Sequence, residues 1–108
     1  MAFDVDDTLI LPKNVIGASE DIPNYEVIEI ARWFLANGHK VVVWSGGGID
    51  WAKRWAEKLG LNAEIREKTK SPDIDICFDD CDVDLAKVNI KVKRIKNSIS
   101  RELWNKHQ

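Results

Sequence analysis

Apolar runs of strand length alternate along this chain with segments whose apolar residues have helical spacing. Five segments have the length and composition of strands: residues 2–6, 40–45, 63–66, 74–78 and 88–92. The 40–45 run has a continuous apolar centre, which is typical of a strand covered on both faces. The last run alternates apolar and polar residues, as a half-exposed edge strand does. This order predicts parallel βαβ units and an α/β fold with a mostly parallel sheet.

Two helices are predicted between these strands. The first begins near Pro23 and Asn24, because proline is tolerated in a first helical turn, and it ends at Asn37 and Gly38. Its apolar stripe comprises Val27, Ala31, Phe34 and Leu35, widened by Ile28 and Ile30. The second helix presents Ile49, Ala52, Trp55, Ala56 and Leu59 on one side and ends at Gly60. Residues 9–22 are predicted to be irregular, and a weak final helix is predicted from Ile95, Ile99 and Leu103.

Composition predicts one compact domain over residues 1–108. A chain of 108 residues is in the usual size range of a single domain. The net charge of −2 gives no general attraction for nucleic acid or membranes, and no apolar run approaches the ~20 residues of a spanning helix. No basic-then-apolar leader precedes the first strand, so a cytoplasmic protein is expected. Cys77 and Cys81 are too few for a disulfide framework and are predicted to be reduced thiols.

The first strand carries the strongest chemical signal in the chain. Asp4 and Asp6 lie on or just past this strand and are followed by Thr8 and Leu9. Residues two apart in an extended segment point to the same side, so both carboxylates are predicted to face one site. One carboxylate can attack phosphorus while the other transfers the proton, which is the arrangement that phosphoryl transfer through an aspartate needs.

Polar residues also follow two other predicted strands. Ser45 ends the second strand, and Asp79 with Asp80 ends the fourth. The carboxyl ends of parallel strands line one crevice, where ligands bind. We therefore predict that these residues converge with Asp4 and Asp6.

The order of these motifs resembles that of the haloacid dehalogenase superfamily over nearly the whole chain. That superfamily has Asp-x-Asp-x-Thr, then Ser or Thr after an apolar strand, then Lys, then an acidic pair. The matching residues are Asp4, Asp6 and Thr8, then Ser45, then Lys70, then Asp79 and Asp80. The resemblance implies a Rossmann-like three-layer sandwich. The gaps between the motifs leave no room for a cap domain, so a capless member with an open site is expected.

The resemblance also implies roles for the matched residues. Asp4 would be the nucleophile of a phosphatase, and Asp6 the general acid and base. Lys70 would be a third catalytic residue, and Thr8, Ser45, Gly46 and Gly47 would bind the substrate. Asp4, Asp6, Asp79 and Asp80 would hold Mg²⁺, which prefers oxygen ligands.

Several alternatives remain open at this level. Lys68 competes with Lys70 for the catalytic role, and the glycines can serve only to turn the chain. Five tryptophans favour burial or a subunit contact over stacking on bases, and the basic segment 87–96 supports nucleic acid only weakly. The expected partner is a phosphorylated substrate, including a macromolecular one, and homo-oligomers are compatible with an open site. A phosphotransferase and a non-catalytic phosphate-binding or partner-binding module are the competing functions.

Overall fold

In a computed structural model, which describes residues 1–11 and 20–93, five strands form one parallel sheet. The strands of this sheet are β1 (Ala2–Asp4), β4 (Val42–Trp44), β5 (Glu64–Ile65), β6 (Ile76–Asp79) and β7 (Val88–Lys91). Their order is β5-β4-β1-β6-β7, and each of the four described pairings is parallel. Two further short strands, β2 (Ile10–Leu11) and β3 (Ile22–Pro23), pair antiparallel beside the sheet. The predicted α/β character and mostly parallel sheet are confirmed.

Two helices connect the first three strands of the sheet. Helix α1 (Tyr25–Ala36) begins after Asn24, and helix α2 (Ile49–Lys58) begins after Gly48. Gly48 has φ 104° and ψ 171°, a conformation that is essentially restricted to glycine. Both helices lie where the apolar spacing predicts them.

Both helices pack on the same face of the sheet. One core cluster contains Val27, Ile28 and Ala31 of α1 and Ala52, Trp55 and Ala56 of α2, together with Phe3, Val43 and Phe78 of three neighbouring strands. Arg32 of α1 also donates to the carbonyl of Leu59, just past the end of α2, at 3.4 Å. The Phe3 and Phe78 rings stack at 4.6 Å between centroids, which ties β1 to β6 on this face.

The opposite face of the sheet is covered by irregular segments in the described part of the chain. Its buried cluster comprises Ala2, Val42, Trp44, Ile74 and Cys77. Val83, Leu85 and Ala86 pack against this cluster from the segment between β6 and β7. Residues 1–11 and 20–93 therefore contain helices on one face only, and the helical layer that a three-layer sandwich requires on the second face is not among them.

The strand order reverses at β1. The chain passes outward from β1 to β4 and β5, then returns to β6 on the other side of β1 and continues to β7. Parallel crossovers are nearly always right-handed, so the two halves of the sheet place their connections on opposite faces. The crevice at such a reversal, beside the carboxyl ends of β1 and β6, is where open α/β sheets bind ligands.

Several boundaries differ from those predicted. Strand β1 ends at Asp4 rather than Asp6, because the Val5 carbonyl accepts bonds from the amides of residues 8, 9 and 10 and turns the chain. Pro23 belongs to β3 rather than to the first turn of α1, and Ile30 is 39% exposed instead of lying in the core. The predicted final helix at residues 95–103 lies outside the described residues.

Neither helix in the described part of the chain has the length and apolar content needed to cross a bilayer. Cys77 is a free, buried thiol in β6, and Cys81 is free and exposed, as the sequence predicted.

Candidate functional site

The candidate site begins with two acidic residues at the ends of adjacent strands. Asp4 is the last residue of β1, and Asp79 is the last residue of β6. Because Phe3 pairs with Phe78, Asp4 and Asp79 are the next residues on strands about 4.8 Å apart, and their side chains leave the same face. Asp4 is 5% exposed and Asp79 is 0% exposed. Two neighbouring carboxylates are thus removed from water, an arrangement that needs a compensating cation.

Lys68 supplies that positive charge. Its Nζ lies 3.1 Å from Asp4 Oδ1 and 2.6 Å from Asp79 Oδ2. Burial alone would lower the pKa of Lys68, but the two carboxylates outweigh that effect and raise it to about 12. The ammonium group is therefore charged throughout the physiological range, and it bridges both strands.

A single ammonium group does not fully compensate two buried carboxylates. Burial first, and then the neighbouring charge of Asp79, raise the pKa of Asp4 to about 7, against the opposing effect of Lys68. The charge of Asp80 acts in the same direction as that of Asp79. The site therefore has the electrostatic capacity to accept additional positive charge.

Asp6 lies in the turn that follows β1. Asp7, in the same turn, has φ 61°, a left-handed conformation that aspartate tolerates better than most residues. Burial raises the pKa of Asp6, and the charges of Asp21 and Asp80 contribute in the same direction. The indole N–H of Trp51 favours the charged form of Asp6, although it does not reach the geometry of a direct hydrogen bond. Asp6 thus joins the acidic cluster through a turn rather than through the strand alternation that the sequence suggested.

Ser45 lies immediately after β4, the other neighbour of β1. Its hydroxyl is buried and accepts a hydrogen bond from the Gly47 amide at 2.9 Å. Gly46 and Gly47 are exposed at the entrance to α2, and a Cβ atom on Gly47 would lie 3.3 Å from Ser45 Oγ and 3.4 Å from Trp51 Cδ1. The glycines therefore form an accessible loop at the same end of the sheet as Asp4.

Thr8 lies beneath the surface rather than in the open crevice. It is fully buried, and its carbonyl accepts a hydrogen bond from Asn24 Nδ2 at 3.0 Å. The backbone N–H of Asn24 also donates to the Leu9 carbonyl, at 2.8 Å. Asn24 is selected from the sequence only as a residue at a helix start, and its two hydrogen bonds hold the turn that carries Asp6.

Asp80 and Cys81 extend the acidic cluster beyond β6. Asp79 Oδ1 accepts a hydrogen bond from the Cys81 amide at 2.9 Å, which fixes the orientation of the Asp79 carboxylate. One ligand atom from each of Asp79, Asp80 and Cys81 lies within 4.8 Å of the others. With Asp4, these residues provide mainly carboxylate oxygens, which are donors that suit a hard divalent cation.

Lys70, which the resemblance assigned to catalysis, is not brought to this cluster. Its Nζ lies 3.1 Å from Asp84 Oδ2, and both side chains are largely exposed. The lysine that contacts Asp4 is Lys68. Since the segment between β5 and β6 has no regular structure, no periodicity in the sequence distinguishes these two lysines.

Comparisons of the chain with protein-family models, curated proteins and solved structures gave no match.

Proposed function

We propose that this chain is a magnesium-dependent phosphatase of the haloacid dehalogenase type, which hydrolyses a phosphomonoester through an aspartyl-phosphate. The observation that carries the proposal is the meeting of Asp4, Asp79 and Lys68 at the carboxyl ends of β1 and β6. Within the five-stranded sheet, the strand order is 3-2-1-4-5 in sequence numbering, which matches the first five strands of doubly wound sheets. The order of the sequence motifs supports the same family.

In the first step, an oxygen of Asp4 attacks phosphorus, and the bond from phosphorus to the leaving oxygen breaks. Asp6 gives its proton to that oxygen, so the product leaves as a neutral alcohol. Burial raises the pKa of Asp6 and so favours the protonated form that this step uses. The phosphoryl group is then carried by Asp4 as a mixed anhydride.

In the second step, water attacks phosphorus and the bond to the Asp4 oxygen breaks. Asp6, now a carboxylate, accepts the proton of the water, and inorganic phosphate is released. Asp6 thereby returns to its protonated form, and Asp4 is regenerated as a carboxylate.

Lys68 is the lysine of this mechanism. Its ammonium group lies against Asp4 Oδ1, where it can stabilise negative charge on the transferred phosphoryl oxygens. At the end of β4, the groups that would bind the phosphoryl oxygens are the side chain of Ser45 and the amides of Gly46 and Gly47. Lys70, paired with Asp84 on the surface, has no part in it.

Asp4, Asp79 and Asp80 would hold Mg²⁺, together with the main-chain carbonyl of Asp6. The fit rests on buried carboxylates that one ammonium group leaves undercompensated, and on a donor set made mainly of oxygen. The bound ion would screen the repulsion between the phosphate and these carboxylates.

The substrate class is a phosphomonoester that reaches an open site. No inserted domain lies between the motif residues in the described ranges 1–11 and 20–93. In these ranges no cap domain therefore separates a phosphate group on a large molecule from the carboxyl ends of β1 and β6, where Asp4 is 5% exposed.

The test is phosphate release from a generic aryl phosphate, with and without Mg²⁺. We expect turnover that requires the ion and that falls by at least a thousandfold in Asp4→Asn, since the nucleophile is lost. The matched control is Asp82→Asn, which removes an exposed carboxylate that forms an ion pair with Lys91. Its activity should equal that of the wild type.

A second measurement identifies the intermediate. Acid-quenched protein from a reaction with labelled substrate should carry phosphate that hydroxylamine removes, as it does from acyl phosphates. Absence of turnover on aryl, sugar and polynucleotide phosphates with Mg²⁺ would contradict the proposal and favour a phosphate-binding module.

A further inference from the structure

The position of the Lys68 ammonium group has a consequence for cation binding. Its Nζ lies 3.1 Å from Asp4 and 2.6 Å from Asp79, so it lies between the two carboxylates that a divalent ion at this site would also have to share. Both contacts are direct ion pairs, and the contact with Asp4 is also a hydrogen bond.

The Asp79 carboxylate has little freedom to serve two cations at once. It is fully buried, and its Oδ1 already accepts the Cys81 amide. Its Oδ2 is the atom in contact with the Lys68 ammonium group, at 2.6 Å. A cation that binds Asp79 through Oδ2 must therefore take the position that Lys68 holds.

We infer that Lys68 sets the cation affinity of the site, because its ammonium group and a divalent ion compete for the same oxygen of Asp79. The inference rests on the proposed function only for the presence of a divalent-cation site. When the ion binds, Lys68 leaves Asp79 and retains its ion pair with Asp4.

The anchoring of Lys68 permits this movement. Lys68 belongs to the irregular segment between β5 and β6, and its side chain is 19% exposed. The backbone on either side is held elsewhere: Arg66 donates to the Val43 carbonyl through its amide, and the Ser71 amide donates to the Leu85 carbonyl at 2.8 Å. The side chain can therefore change partners while the segment stays in place.

The first test is a titration of purified protein with Mn²⁺, in which free ion is measured by electron paramagnetic resonance. Lys68→Met should bind Mn²⁺ about tenfold more tightly than the wild type, which is a common size for coupling between two ligands. The matched control is Lys87→Met, because Lys87 is exposed and paired with Asp75 on the surface. Lys87→Met should bind Mn²⁺ with the affinity of the wild type. An affinity of Lys68→Met equal to or weaker than that of the wild type would overturn the inference.

The second test uses the wild-type protein, since Lys68→Met removes the ion-pair partner of two buried carboxylates and can fail to fold. Acetylation of individual lysines is followed by mass spectrometry with and without Mn²⁺. Lys68 should react several-fold faster when the ion is present, and Lys87 should react at one rate in both conditions. A Lys68 rate that is unchanged or reduced by Mn²⁺ would overturn the inference.

The two proposals fail separately. Tighter Mn²⁺ binding in Lys68→Met, without phosphate release by the wild type, would support the competition between Lys68 and the ion and contradict the phosphatase activity. Phosphate release that requires the ion, with equal Mn²⁺ affinity in the wild type and Lys68→Met, would support the phosphatase and contradict the competition.

Discussion

At the scale of single residues, the burial of Asp4 beside Asp79 links the candidate site to the stability of the fold. Burial and the adjacent charge raise the pKa of Asp4 from 3.8 to about 7. An acid whose pKa is raised in the folded state favours that state when it is protonated. Its contribution to the free energy of unfolding is therefore complete below about pH 4. That contribution is lost as the pH rises through 7.

We therefore predict that Asp4→Asn stabilises the protein at alkaline pH in the presence of a chelator. The amide cannot ionise, so the variant should exceed the wild type by about 2 kcal/mol at pH 8, and the difference should vanish near pH 4. Urea unfolding at several pH values measures this difference. A difference in free energy of unfolding that is constant across the pH range would show that the ionisation of Asp4 is not its cause.

The acidic members of the site could be predicted from the sequence, whereas the lysine could not. Asp4, Asp79 and Ser45 end apolar strands, and the geometry of parallel sheets brings such ends together. Lys68 is held by two ion pairs in a segment without regular structure, so nothing in its spacing separates it from Lys70. The sequence predicts that Thr8 binds the substrate, but Thr8 is buried, and its carbonyl accepts a hydrogen bond from Asn24, sixteen positions away.

At the scale of elements, the entrance to α2 depends on one glycine. Gly48 has φ 104° and ψ 171°, in a region that is essentially restricted to glycine, and it directly precedes the helix. Its amide donates to the Ser45 carbonyl, and its own carbonyl accepts from the Ala52 amide. The loop with Ser45 and the first turn of α2 are therefore fixed by the same residue.

Gly48→Ala should destabilise the protein by about 2 kcal/mol, since alanine must adopt a strained backbone there. The control is Gly46→Ala, where φ is not in the left-handed region and no atom lies within 4 Å of the added methyl group. Thermal unfolding of both variants measures the contrast. Equal melting temperatures for the two would contradict the argument.

The elements themselves were largely predictable. The helices and the five strands of the sheet follow from apolar spacing, because burial on one or two faces imposes those periods. The end of β1 was not predictable, since the turn at Val5 arises from three backbone hydrogen bonds that the side chains do not encode. Residues 9–22 are predicted to be irregular, but β2 and the first residue of β3 lie among them, because strands of two residues are too short to produce a periodic pattern.

At the scale of the whole molecule, the stacked rings of Phe3 and Phe78 join the two strands that carry the acids. Phe3 is fully buried, Phe78 is 8% exposed, and each ring belongs to the core beneath the helices. Packing on one face of the sheet therefore supports the pairing of β1 with β6, which places Asp4 beside Asp79 on the other face.

Phe78→Ala should lower the free energy of unfolding by about 3–5 kcal/mol, as large-to-small changes in cores do. Trp33→Ala provides the contrast, because Trp33 lies on α1 with 58% of its surface exposed, and its loss should change stability by less than about 1 kcal/mol. Urea unfolding of both variants measures the two values. A similar loss in both would contradict the central place of the β1–β6 contact.

The separation of Asp4 and Asp79 along the chain also has a consequence during translation. Asp79, the neighbour of Asp4 in space, is synthesised 75 residues after Asp4, and Lys68 lies between them in the sequence. A nascent polypeptide that stops before β6 lacks one wall of the crevice and the second anion of the lysine bridge. The candidate site can thus form only when nearly all of the described sheet has been made.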